Sequence, residues 1–494
     1  MSFLTGLLTD GIFISFVGYL LLMILIGTVC CKKDADLQQY LLGGRGLGSW
    51  VTAISAQASD MSGWMLMGLP GAIYLGGMLD AWVAIGLTIG TLLNWLFIAP
   101  RLRVYTEKTS ALTLPSFFAR RFCDPSGSLR AVSSIIILIF FTIYAGSGLV
   151  AAGTLFNSMF GINYKVAVLI GMAVVLIYTV LGGYLAVCFT DLIQGLLMVI
   201  AVIVVPAVAI QHVGWDSVVA AGASKNLSLL PNAGNDITIM AIISCAVWGL
   251  GYFGQPHILS RFMSIKDVKL LPRSITIAMT WVIISLAGVV LISFAGMAAI
   301  EPALGKKEAE TVFIKLIMLF FNPYIGGIML AAIMAAIMST IDSQLLVSTS
   351  ALTEDFYRRV IRRQATTGES VMMSRIFVVL ITIFATIIAL FPNDTIFGIV
   401  KFAWGGFGAA FGPVVIMALY SKRTTWISVL AGMVTGTIVM LVWYFLGLNK
   451  YMYEILPGFI ANFIVIFILD AIIPQKDHEI KAVFDNVKSE SKMF

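Results

Sequence analysis

Ala58-Ser59-Asp60-Met61-Ser62-Gly63-Trp64, followed closely by Gly68-Leu69-Pro70-Gly71, is the stretch on which the fold of this chain turns. It lies inside an apolar segment long enough to cross a bilayer. Yet it sets a carboxylate, two serine hydroxyls, glycines and a proline where a continuous helix disfavours them. Non-helical backbone at membrane depth persists only where protein or a wet cavity satisfies its peptide groups. The segment is therefore expected to be a broken helix turned toward the interior of a bundle.

The rest of the chain fits that setting. Of 494 residues, 60 % are hydrophobic and 11 % charged, against roughly a quarter charged in a soluble domain. The mean hydropathy is +0.98. A helical span needs about 20 apolar residues, and such runs recur from end to end. The short alternating stretches of a membrane barrel are missing. Thirteen spans are expected, near 11–30, 49–75, 80–99, 131–158, 164–187, 191–211, 236–258, 274–300, 325–350, 376–391, 395–420, 425–447 and 453–473. The apolar run Val312 to Phe321 is short and reads as a surface helix leading into the ninth span. The first run ends at Cys30-Cys31-Lys32-Lys33 rather than at a small-residue cleavage site, so it is read as a retained span and not a signal peptide.

With the N-terminus outside, 24 of the 31 Lys and Arg fall in inner segments, among them Arg45, Arg103, Arg121 and the set Arg261, Lys266, Lys269 and Arg273. Outside fall Lys165, Lys225, Lys306, Lys307 and Lys450, while Lys315 and Lys401 lie at span edges. The positive-inside bias thus puts the N-terminus outside and the C-terminus inside. The net charge of +6 comes without basic runs interleaved with aromatics, so no nucleic-acid partner is expected. No phosphate-binding loop, no H-E-x-x-H and no zinc-like cysteine spacing occur. No soluble stretch is long enough for a catalytic domain, so an enzyme is not expected. The five cysteines read as small buried hydrophobes or free thiols.

A second interrupted segment, Trp248-Gly249-Leu250-Gly251-Tyr252-Phe253-Gly254-Gln255-Pro256, lies in the seventh span, five after the first. Paired broken spans in matching places point to a transporter built of inverted repeats; close helix packing through glycine is the blander reading. The expected organisation is a peripheral span and inner loop (1–48), repeat one (49–212, spans 2–6), repeat two (236–420, spans 7–11), two peripheral spans (421–474) and a cytoplasmic tail (475–494).

Asp60 is costly in a bilayer and should face a cavity or a cation, although Asp before a helical segment is also a natural cap. In the ninth span, Ala336-Ile337-Met338-Ser339-Thr340 places the hydroxyls of Ser339 and Thr340 beside the carbonyl of Ala336. Carbonyls loosened by the break, near Ala58 and Met61, could complete a neutral oxygen cage for a monovalent metal ion. Ordinary back-bonding of Ser and Thr is the alternative. For an organic solute, the backbone N–H groups after Ser62 and Gly63 favour a carboxylate, and Tyr144, Trp248, Tyr252 and the Pro256 turn offer an aromatic wall. Asp191, Asp342 and Lys315 are further costly charges, expected near the membrane interface.

The Ala58 to Trp64 string, the run from Gly182-Gly183-Tyr184 to Thr190-Asp191-Leu192-Ile193-Gln194-Gly195, and Met338-Ser339-Thr340 with Ser343-Gln344-Leu345-Leu346 resemble the sodium:solute symporter family, in particular its bacterial sodium/proline carriers. The resemblance covers essentially the whole chain. It implies an all-α LeuT-like core of two inverted five-helix repeats, importing L-proline with sodium; a monomer in the bacterial inner membrane is expected. It also implies sodium at Ala58, Met61, Ala336, Ser339 and Thr340 with Asp60 nearby, and proline near Ser62, Gly63, Tyr144, Trp248, Tyr252 and Pro256. Asp342 departs from the expected pattern, which has an uncharged residue there, and leaves open a second cation site or a changed inward gate. A cation-coupled importer, driven by sodium or protons, of another small amino acid or organic solute, and a solute sensor that moves nothing, are the rival readings.

Overall fold

A computed structural model describes residues 10–30, 37–181, 183–224, 236–306, 308–362, 364–475 and 478–491. Cys31, Lys32, Lys33, Gly182, Lys225 and Lys307, named above, lie outside the described residues. Among those described the chain is helical, apart from one isolated bridge between Leu47 and Ile265. In chain order the principal helices are α1 (Gly11–Cys30), α2 (Ser49–Asp60), α3 (Leu69–Gly76), α4 (Trp82–Lys108), α5 (Leu114–Arg121), α6 (Ser128–Phe160), α7 (Tyr164–Leu181) and α8 (Tyr184–Val213). There follow α9 (Asp236–Ala246), α10 (Pro256–Ser264), α11 (Leu271–Ala299), α12 (Val312–Phe320), α13 (Pro323–Ser350), α14 (Thr367–Leu390), α15 (Ile396–Tyr420), α16 (Trp426–Phe445) and α17 (Ile455–Ile472).

Nine helices among the described residues are long and apolar enough to cross a membrane, and a bent pair, Ile239–Gly254 with Pro256–Ser264, makes a tenth. Three shorter apolar helices, Gly11–Gly27, Trp64–Leu79 and Tyr164–Ile177, remain. The expected thirteen is reached only if these cross as well.

Burial ranks the helices. In α13 and α15, 83 % and 89 % of the apolar window is enclosed by protein, against 33 % in α16 and 28 % in α17. The first two form the centre, and the last two pack on each other at the edge. Small residues make the centre possible: Ala331, Ala332, Ala335 and Ala336 let neighbours close on α13, and all four are buried.

Two expectations change. The Val312–Phe320 helix is no mere surface element, because Val312, Phe313, Ile314, Leu316 and Ile317 are buried while Met318 and Leu319 are exposed. Its apolar period gives it an inward face, packed on α11 and α13. The fifth span ends at Leu181 rather than 187, so Tyr184 and Cys188 belong to α8.

Several of the arginines expected on the inner side are structural rather than free. Arg45 donates to the carbonyls of Met263, Thr106 and Ala111 at 2.7, 3.0 and 2.7 Å. Arg121 donates to those of Ala418 and Ser421, both at 2.7 Å. These oxygens lie at or near helix C-termini, whose unpaired carbonyls attract a cation. Burial lowers the Arg45 guanidinium to about 10.

Candidate functional site

The break in α2 falls where the sequence places it. Met61 leaves the helix with φ −85° and ψ 80°, and the chain re-enters through a π-helical turn, Trp64–Gly68, before α3. Gly63 has a packing reason to lack a side chain, since a Cβ there would stand 2.7 Å from the Ala151 Cβ of α6. The second break differs in kind. Val247–Gly254 tightens into a 3₁₀ segment, and Gln255 is extended (φ −84°, ψ 107°) before Pro256 opens α10. A residue preceding proline is driven out of the helical region, and the two halves bend by 47°.

At the first break α2 meets α13. The Ser339 hydroxyl donates to the Ala58 carbonyl at 2.7 Å and approaches that of Ala336 at 3.2 Å. The Thr340 hydroxyl faces the Ala58 carbonyl at 3.5 Å. Ala58, Met61, Ala336, Ser339 and Thr340 are all buried. Among the described residues no cluster of three His, Cys, Asp or Glu is placed to hold a metal; the oxygens converging here are neutral. Such a set suits a weakly held monovalent cation better than a divalent one.

One turn on, Asp60 organises the aromatics. Its carboxylate accepts from the Tyr252 hydroxyl at 2.6 Å, and its other oxygen, Oδ1, is buried without a partner. Its carbonyl accepts from the Trp64 indole at 3.0 Å, the Tyr144 hydroxyl at 3.3 Å and the Ser62 N–H at 3.0 Å. The capping reading of Asp60 therefore gives way: its side chain reaches across to the 3₁₀ segment, and the turn after the break has no side-chain cap. Trp64 lies 5.9 Å from Trp248, ring to ring. Trp248 stacks on Phe397 at 4.9 Å and 14°, and its carbonyl accepts from the Trp404 indole at 2.8 Å.

The structure thus gathers Asp60, Ser62, Tyr144, Trp248 and Tyr252. Pro256 acts through the backbone bend, and its ring lines a narrow crevice with Tyr184, Met263 and Leu346. Trp64, Phe397 and Trp404 were missed. Trp64 stood inside the quoted string; the other two become visible only once α15 packs against the 3₁₀ segment.

Beneath this lies a charged knot that the sequence reading misplaced. Arg261, counted with the inner loop, and Asp191, expected at the interface, are both fully buried and 3.1 Å apart. Ser55 donates to the same carboxylate oxygen at 2.6 Å and accepts from Arg261 Nε at 3.1 Å. Arg261 also donates to Ser343. The knot ties α2, α8, α10 and α13 together. Arg261 escaped because Pro256 restarts a helix that carries it back into the bundle. Asp342 too is fully buried rather than interfacial, bonded to Thr179 of α7. Lys315 is half-buried and lines a depression with Glu301 and Glu308.

The model of the sodium:solute symporter family matches residues 40–436. The chain is 47 % identical over 458 residues to the osmoregulated proline transporter OpuE of Bacillus subtilis, covering 92 % of this chain and 93 % of that one. It is 46 % identical over 468 residues to the sodium/proline symporter of Salmonella typhimurium, covering 92 % of each. Its fold is similar to that of a substrate-bound, outward-open sodium-coupled sialic acid symporter, with a TM-score of 0.80 at 18 % identity over 94 % of this chain and 99 % of that one. That likeness bears out the expected LeuT-like architecture.

Proposed function

Since the chain belongs to the sodium:solute symporter family, we propose that it imports L-proline together with sodium by alternating access. The observation that carries this reading is the convergence of Ser339 and Thr340 of α13 on the Ala58 carbonyl at the break of α2. Sodium, as cargo, would be held there by the carbonyls of Ala58, Met61 and Ala336 and the hydroxyls of Ser339 and Thr340, with Asp60 supplying negative potential nearby. Proline would lie among Ser62, Gly63, Tyr144, Trp248 and Tyr252, with Pro256 shaping the turn below. Its carboxylate suits the N–H groups after the break, and its ammonium suits a tryptophan face.

The order of events follows from linkage. Sodium ties α2 to α13 and so fixes the broken segment on which proline rests. Each ligand then raises the affinity of the other by the same factor. The repeats 49–212 and 236–420 rock about this site, with 1–48 and 421–474 outside the moving core and 475–494 as an inner tail. One charge crossing about 100 mV yields about 2.3 kcal/mol, enough for roughly fifty-fold accumulation before the sodium gradient is counted. The protein works as a monomer spanning a bacterial inner membrane thirteen times, N-terminus outside and C-terminus inside.

The test is radiolabelled proline uptake into proteoliposomes with a sodium gradient alone or a proton gradient alone. Accumulation is expected only with sodium. Accumulation with protons alone would transfer the chain to the proton-coupled rival, and binding without counterflow would make it a sensor.

A further inference from the structure

A cavity of about 830 Å³ opens where α5, the start of α6 and the π-helical segment Ala351–Ile361 meet, lined by Arg120, Arg130, Ser134, Asp355 and Arg359. Its acids are partly engaged, the second oxygen of Asp355 being buried with no hydrogen bond and facing Arg130. Asp124 accepts from the Ser126 N–H and hydroxyl and from the Leu129 N–H. Asp355 accepts from the Thr113 hydroxyl at 2.7 Å. Three of its donors, Arg130, Ser134 and Arg120, are less engaged. Arg130 stands 3.6 Å from Asp355, and that nitrogen makes no hydrogen bond. The Ser134 hydroxyl, on a residue only 5 % exposed, has no partner. Arg120 spends one nitrogen on the carbonyls of Thr109 and Ser110 and pairs with no acid among the described residues.

The cavity continues into an apolar groove of about 590 Å³ between α6 and α14, the two sharing Leu138, Leu352 and Phe356. From Arg130 to Ile143 at the groove's far end is about 20 Å of helix, at about 1.5 Å per residue. That matches one leaflet of a hydrocarbon layer about 30 Å thick, plus the headgroup level. A cluster of guanidiniums at the head of a leaflet-deep apolar groove is complementary to a molecule with an anionic head and a hydrocarbon tail.

We propose that cavity and groove form a binding site for one anionic phospholipid, its phosphate among Arg120, Arg130 and Arg359 and an acyl chain between α6 and α14. The proposal rests on the membrane placement given above, but not on the identity of the solute. Lipid binding to purified protein needs no transport, so its failure and a failure of proline uptake are separate results.

The test titrates phosphatidylglycerol, phosphatidylcholine or inorganic phosphate into the detergent-purified full chain, read by native mass spectrometry and by the shift in melting temperature. Phosphatidylglycerol is expected to bind and stabilise more than phosphatidylcholine, and phosphate alone to do neither. Arg120→Gln and Arg359→Gln, both at exposed positions that spare the Arg130–Asp355 pair, should each weaken phosphatidylglycerol about fivefold, the equivalent of about 1 kcal/mol. Leu380 lines the groove, and Leu380→Trp, which fills it, should weaken both lipids. Equal binding of the two lipids by the unaltered chain would mean ordinary boundary lipid and overturn the site. So would stabilisation by phosphate alone, or arginine variants that bind phosphatidylglycerol unchanged.

Discussion

Ser339 donates its hydroxyl proton to the carbonyl of Ala58, 2.7 Å away and 281 residues earlier in the chain. That bond joins the two segments, α2 and α13, that the proposed sodium cycle must couple and release. Ala58 can accept it because the helix of which it is part stops three residues later at Met61. In an unbroken helix its carbonyl would serve the N–H four residues on.

Removing a hydroxyl from this junction should weaken sodium before anything else. Thr340→Ala or Ser339→Ala is expected to raise the sodium concentration for half-maximal proline uptake about tenfold. A neutral hydrogen-bonding oxygen lost from a buried site costs on the order of 1–2 kcal/mol. Protein abundance in the membrane should stay near normal. An unaltered sodium dependence would take the residue out of the site.

Tyr252 grips Asp60 through a 2.6 Å hydrogen bond across the two broken segments. A bond to a charged acceptor is worth about 1.5–3 kcal/mol, so Tyr252→Phe should lower coupled binding of sodium and proline by roughly ten- to a hundred-fold. Asp60→Asn should act in the same direction, mainly on sodium. Isothermal titration of proline at several sodium concentrations separates the two effects.

Trp248 is clamped by Phe397 on its ring and by Trp404 on its carbonyl. Trp248→Ala should reduce proline affinity even at saturating sodium. A normal proline isotherm there would leave Trp248 a packing residue only.

The Arg261–Asp191 pair is fully buried on both sides. Breaking one partner of such a pair costs about 3–5 kcal/mol because the other charge is stranded. Arg261→Gln or Asp191→Asn alone should therefore lower the melting temperature in detergent sharply. The double variant, with neither charge left, should recover much of the loss. Additive losses in the double variant would show that the two residues do not act as a pair.

Glu310 accepts from the backbone N–H groups of Ile396 and Phe397, at 3.0 and 2.9 Å, in the first turn of α15. Burial, the largest influence, raises its carboxyl above the ordinary 4.5. Between its unfolded and folded values the folded chain binds more protons, so this group's contribution to stability falls as pH rises through that window and is level above it. Glu310→Gln should flatten that part of the melting-temperature profile. A slope that persists in the variant belongs to another group.

The fold was largely legible beforehand, for a reason specific to membranes. Lipid cannot hydrogen-bond a peptide group, so every deviation from a plain apolar helix advertises itself. Asp60, Gly63 and Pro256 did so. The approach of the Ser339 hydroxyl to the Ala336 carbonyl was legible too, because helical geometry alone puts it on the preceding turn; Thr340 is seen facing Ala58 instead.

The partnerships were not legible. Nothing local distinguishes Arg261 from the other basic residues of its neighbourhood, and it was placed in a loop. Likewise Asp191 and Asp342 lie near span ends on a hydropathy scale, yet both are sealed inside the bundle. Sequence by itself determined the solvent, the helices and where they break, since these depend on residues within one or two turns of each other. Tertiary structure alone decided which carbonyl Ser339 meets, which carboxylate Arg261 neutralises and which ring stacks on Trp248. Those contacts join positions far apart along the chain, and a side chain's partner in a bundle is fixed by how whole helices cross, which no local pattern encodes.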